Sequence, residues 1–144
     1  MYGNFLHRTP VQVRFKDIDK QGHVNNANHI TYFETARVNY FNEVLGTDVD
    51  WDKTGLLLAK TEIDYFQPIF LQDIIEVYTK VSRIGQKSFD VSNVIVKSEN
   101  NELVECAVGK SVFVCYDYHK KITIQVPESW KKKFIAFEHE PSAK

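Results

Sequence analysis

Hydrophobic and polar positions alternate over the first ordered-looking stretch of the chain. Val11, Val13 and Phe15 fall on one side, and Gln12, Arg14 and Lys16 on the other. A period of two predicts a half-buried strand. A polar stretch with one glycine, Asp17 to Asn26, reads as a loop. The period then changes. Ile30, Phe33, Arg37, Tyr40, Phe41, Val44 and Leu45 recur at steps of three and four, predicting an amphipathic helix over about 28–45. Asn25, Asn26 or Asn28 suits its N-cap, and Gly46 suits a left-handed C-terminal cap. Strand-like runs follow at about 56–66, 73–84, 87–98 and 102–116, with a shorter one near 120–126. Pro68, Gly85, Asn100-Asn101 and His119-Lys120 punctuate them, and Asn100-Asn101 predicts a hairpin tip. Val104 to Tyr116, apolar on both faces, suits a central strand covered on both sides. A last helix is expected over about 127–137, with Lys131, Lys132 and Lys133 on its wet side.

One strand, a long helix and then strands at hairpin spacing predict an α+β chain with an antiparallel sheet. A single helix covers one sheet face, so the other calls for a partner or a second copy. No repeat, low-complexity stretch or linker divides the sequence. One domain is expected over 1–137, with a polar tail over 138–144.

Composition narrows the function. Apolar residues make up 43% of the 144 residues and charged residues 26%, as in an ordinary globular domain. The net charge of -1 supplies no basic field, which argues against a nucleic-acid binder. No apolar run reaches the ~18–20 residues of a membrane span, and the N-terminus lacks the pattern of a signal peptide. Cys106 and Cys115, on one predicted strand at odd spacing, are expected on opposite faces, roughly 30 Å apart and unable to bridge. Reduced thiols and the absence of a leader point to the cytoplasm.

The chemistry concentrates in Asp17-Ile18-Asp19-Lys20-Gln21-Gly22-His23-Val24-Asn25-Asn26, where a strand gives way to a helix. The first N–H groups of a helix lack intrahelical partners and carry partial positive charge. A carbonyl placed there is polarised, and a nearby carboxylate can attack it or deprotonate a water. The stretch resembles the signature of hotdog-fold acyl-CoA thioesterases of the 4-hydroxybenzoyl-CoA thioesterase-like family, in the form Asp-x-Asp-x-x-Gly-His-Val-Asn-Asn. It continues into Tyr32-Phe33-Glu34-Thr35-Ala36-Arg37, and Ile63-Asp64-Tyr65-Phe66-Gln67-Pro68 is similar to the family's strand ending in Tyr-x-x-Pro. The likeness covers about residues 9 to 130.

The resemblance implies a hotdog domain, a long central helix wrapped by a curved antiparallel sheet of five or six strands. It also implies homodimers whose sheets join, often paired into tetramers. Carried over by position, the catalytic carboxylate falls on Asp19 and the oxyanion-binding backbone N–H on Asn26. His23 falls where plant acyl-carrier-protein thioesterases place a site histidine, although Gln21 stands where the plant motif has Asn. Gly22 supplies a backbone angle or a close approach near the substrate. Asp17 reads as structural, bonding the loop or pairing with Arg14, and Asn26 as a helix cap as well. The helix-face aromatics, Arg83, Lys87, the lysine run and both cysteines have simpler readings as core or solvated surface. Asp17, Asp19 and His23 match no standard zinc spacing, so no metal or other cofactor is expected. The implied function is hydrolysis of acyl-CoA or acyl-carrier-protein thioesters to acid and thiol, in lipid metabolism. A non-catalytic acyl-CoA-binding module and an acyl-thioester hydro-lyase are the alternatives.

Overall fold

The apolar stripe on the long helix meets the sheet it was expected to cover. In the computed structural model, which describes residues 2–139 and the backbone of Ser142–Ala143, α1 spans Ala27–Leu45. It buries His29, Tyr32, Phe33, Ala36, Tyr40, Phe41 and Leu45, one side of a 3.6-residue turn. Gly46 ends the helix at φ 92° with an extended ψ of 173°, so the chain leaves straight instead of curling into a left-handed cap.

The strands are β1 (His7–Val11), β2 (Thr54–Tyr65), β3 (Ile75–Ile84), β4 (Ser88–Glu99) and β5 (Glu102–Asp117). They lie in the order β1-β3-β4-β5-β2, every neighbour antiparallel. Short β6 (Ile122–Thr123) pairs with β5, and β7 (Ser142–Ala143) runs parallel beside β3. The last helix, α2 (Glu128–Glu138), sends Trp130 and Phe134 into the core shared by Tyr40, Phe41, Leu45 and Phe89. A long helix against one antiparallel sheet is the hotdog arrangement. Asn100 and Asn101 turn the β4–β5 hairpin with φ of 54° and 64°, the two left-handed residues that a type I′ turn needs.

Four expectations are corrected. The first strand lies earlier than the alternation implies: β1 ends where Val11 pairs with Ile75. Phe15 stands in a single 3-10 turn, Phe15–Asp17, and is 82% exposed, because the Asp17 carboxylate accepts the Arg14 N–H and bends the chain. The cysteines share the helix-facing side: the β4–β5 register slips at Cys106, and this bulge inverts the pleat, so both thiols are buried in the cores under α1. Burial pushes them up, to about 11 for Cys106 and about 12 for Cys115. The outer face of β5 is only partly covered: Tyr2 and Phe5 pack near Val108 over Tyr78, Val94 and Val96, while Leu103 stays exposed. Finally, Glu138 does not begin a tail. It ends α2, where its carboxylate accepts the Tyr40 hydroxyl at 2.5 Å and the Val81 N–H at 3.1 Å. The tail expected over 140, 141 and 144 lies outside the described residues.

Candidate active site

The loop into α1 is held by a buried carboxylate. Asp17 is 1% exposed and accepts the Arg14 N–H at 3.1 Å, the Arg14 guanidinium at 3.0 Å and the Tyr32 hydroxyl at 2.7 Å. Its carbonyl accepts the Asn25 N–H at 2.9 Å and the Asn28 amide at 3.3 Å. Burial alone raises a carboxyl, but the Tyr32 and Arg14 bonds outweigh it here and hold Asp17 below the ordinary carboxylate range. Asp17 therefore ties the loop to the first turns of the helix, the structural part expected of it.

Asp19 sits at the rim of that anchored loop. Its N–H donates to the His23 carbonyl at 3.1 Å, and the Gly22 N–H donates to its own carbonyl at 2.9 Å. This closes a tight turn in which Gly22 adopts φ +86°. A Cβ there would meet nothing within 4 Å, so the glycine is required by its backbone angle and not by crowding. One Asp19 oxygen accepts the Gln21 N–H at 2.8 Å and the other accepts the Asn25 side-chain amide at 3.1 Å. The Asn25 side-chain oxygen in turn accepts the Ala27 N–H at 2.9 Å. The helix cap is thus supplied by Asn25, and Asn26 makes no side-chain cap bond. Asn26 already has helical angles, φ -59° and ψ -22°. Its N–H makes no backbone hydrogen bond among the described residues, while its carbonyl accepts the Tyr65 hydroxyl at 3.3 Å.

These groups face a cleft of about 430 Å³. Asp19, His23, Val24, Asn26 and His29 form one side, and Tyr65, Phe66, Gln67 and Pro68, at and beyond the end of β2, form the other. Three of the four sequence candidates, Asp19, His23 and Asn26, meet there; Gly22 shapes the turn and does not line the cleft. His23 places Nδ1 3.3 Å from the Val24 carbonyl and stands edge-on to Phe70.

Two residues escape the sequence reading. Asn25 reads there only as a cap, yet it orients Asp19. His29 is 4% exposed, lies edge-on to Tyr65 at 4.9 Å, and buries Nδ1 without a hydrogen-bond partner among the described residues. Burial pulls it below its usual value, against the Asn26 and Asn25 carbonyls, so the ring is neutral near pH 7. Its spacing of three from Asn26 was the available signal, since residues three apart share a helix face.

A carboxylate held by two donors, on a residue that shares a cleft with the N-cap at the positive end of a 19-residue helix, can activate a water or attack a carbonyl polarised at that helix end. Comparison with known proteins shows what the chain is similar to. A family model described as the thioesterase-like superfamily matches residues 13–134. YsmA of Bacillus subtilis, an uncharacterized protein, is 31% identical over 77% of this chain and 73% of its own. The acyl-CoA thioester hydrolase YbgC of Escherichia coli O6:H1 is 27% identical over 90% of this chain and 96% of its own. A thioesterase from Thermus thermophilus, solved with coenzyme A and Zn, is 31% identical, with a TM-score of 0.82 over 96% of this chain and 98% of that one.

Proposed function

The chain belongs to the thioesterase-like superfamily, and from that premise we propose how its residues cleave their substrate. It is an acyl-CoA thioesterase, releasing a free acid and coenzyme A. The thioester carbonyl oxygen lies against the Asn26 N–H, where developing negative charge is met by a donor already in place. Asp19 either takes a proton from a water that attacks the carbonyl carbon, or attacks that carbon itself to give a mixed anhydride that water then hydrolyses to the free acid. On either route that attack breaks the carbon–sulfur bond, and the thiolate leaves without a strong acid because thiols ionise near pH ~8.5. Asn25 and the Gln21 N–H fix the Asp19 carboxylate, Gly22 sets the turn that carries it, and His23 and the buried His29 form part of the wall against which the substrate lies.

The observation that supports this reading is that Asp19 lines the same cleft as Asn26, whose N–H makes no backbone hydrogen bond among the described residues. Asp19→Asn is expected to lower kcat about 10²–10⁴-fold in a thiol-release assay, with melting temperature and sedimentation unchanged. A variant within twofold of the native kcat removes Asp19 from the chemistry. Running the same assay on acyl-CoA and acyl-carrier-protein thioesters in parallel identifies the preferred carrier.

We propose further that the working form is a homodimer joined at β2, and that two such dimers can pair. The two edges of the sheet differ. β1 is five residues long, carries Pro10 and has Arg8 outward, devices that protect an edge. β2 offers 12 residues without proline, with Leu57 and Leu58 exposed. Among the described residues no helix is long and apolar enough to cross a membrane, and the proposed place of work is the cytoplasm, in lipid metabolism.

A further inference from the structure

A second cavity, of about 460 Å³, lies at the far end of the groove between α1 and β2. Arg37, Phe41, Trp51, Leu56, Phe113 and Tyr118 line it. Its walls are aromatic and its one buried charge is Arg37. The Arg37 side chain is 14% exposed and its guanidinium lies 4.6 Å from the centre of the Phe113 ring. Glu34, which also lines the chamber, forms an ion pair with it at 3.7 Å but is 65% exposed and beyond hydrogen-bond reach. The other half-buried arginines are satisfied: Arg14 and Arg83 each donate to an aspartate at 3.0 Å. Burial pulls Arg37 below its usual value despite Glu34, which marks the guanidinium as desolvated. A desolvated guanidinium whose one charged partner among the described residues is an exposed carboxylate at 3.7 Å keeps N–H donors free, and a planar two-oxygen acceptor matches its fork.

We propose that this chamber holds the far end of the acyl group, and that Arg37 selects acyl thioesters that end in a carboxylate. The inference rests on the dimer and hydrolase reading above. Within one chain, eleven helical residues, about 16 Å, separate Asn26 from Arg37. A strand that pairs with its own copy about a two-fold axis runs antiparallel to it. The Tyr65 end of one β2 then comes beside Gly55 and Leu56 of the second copy. The chamber of one protomer thereby adjoins the Asp19 cleft of its partner, within reach of a short acyl group.

Matched substrates test this. Two acyl-CoA thioesters of equal length, one ending in a carboxylate and one in a methyl group, are compared by thiol release. The native protein is expected to prefer the carboxylated thioester in kcat/KM by about ten- to a hundredfold, the worth of charge-assisted hydrogen bonds. Arg37→Gln collapses that ratio, chiefly through KM, and Arg37→Lys keeps part of it. A native ratio near one overturns the inference, as does a variant that lowers both substrates equally. A variant that keeps the ratio but sediments as a monomer also overturns it, by assigning Arg37 to the contact between copies. If neither thioester is cleaved, the hydrolase reading fails on its own. Calorimetry with the non-hydrolysable thioether analogues of the two acyl groups then decides about Arg37. Tighter binding of the carboxylated analogue, lost in Arg37→Gln, sustains it; equal binding overturns it.

Discussion

Two carboxylates two residues apart differ in surroundings, and so in what each is free to do. Asp17 is buried and saturated with donors from Arg14 and Tyr32, so it anchors; Asp19 keeps an aspect on the cleft, so it can act. The anchoring has a pH signature. The folded Asp17 carboxyl titrates below its unfolded value, so its contribution is complete above the unfolded carboxylate range, about pH 4, and is lost as pH falls through the lower folded value. Asp17→Asn is expected to lower stability at neutral pH by about 1.5–3 kcal/mol, the worth of hydrogen bonds to a charged group. Thermal melts from about pH 7 to about pH 3 should then show a flatter acid decline in the variant than in the native protein. Parallel declines would assign the acid sensitivity to other groups. At this scale the sequence made legible a grouping and not a role: Asp19, His23 and Asn26, neighbours in one motif, line one cleft. In the sequence Asn25 reads only as a cap candidate, because only coordinates reveal that its side chain both caps the helix and holds Asp19. His29 was hidden for another reason: a histidine inside an apolar stripe carries no mark of whether its ring meets the core or a cleft.

The elements were legible wherever a periodicity ran undisturbed. The helix and the four later strands fall within a few residues of their expected bounds, because each has its own apolar face and a turn residue at its end. The errors arose where an interruption leaves no trace in residue type. The alternation Val11, Val13, Phe15 continues beyond the point where β1 stops pairing, since pairing depends on the length of β3 opposite. The bulge at Cys106 inverts a pleat that counting assumes to be regular. How α1 approaches the sheet depends on one small residue. A Cβ built on Gly109 of β5 would stand 2.4 Å from the Phe33 ring, and Phe33 is 1% exposed with no room to retreat. Gly109→Ala is therefore expected to cost about 1–3 kcal/mol by overpacking. Because Phe33 follows the cleft residue His29 by one helical turn, the variant should also lower kcat. Denaturant melts and the thiol-release assay measure the two effects, and an unchanged midpoint would mean that α1 rides less closely on β5 than the geometry requires.

At the scale of the whole molecule, the question is which surface a second copy covers. A single helix beside a single sheet predicts one open face, and counting faces was all the sequence allowed. The structure alters that picture: Tyr2 and Phe5 cover part of the outer face, while the β2 edge and the adjoining α1 residues Ile30 and Val38 remain open and apolar. Joining two copies at β2 would satisfy the unpaired backbone of that edge and bury those side chains together. Leu58 distinguishes association from folding because it is 52% exposed in the single chain, so replacing it removes little of the protomer's own core. Leu58→Glu, which sets like charges against each other across a two-fold axis, is expected to sediment as a monomer with a native far-ultraviolet spectrum. Thioester cleavage should fall with it by at least about tenfold, since a site completed by a second copy cannot work in one. A variant that remains dimeric would place the contact elsewhere, and a monomer with full turnover would mean that each chain carries a complete site.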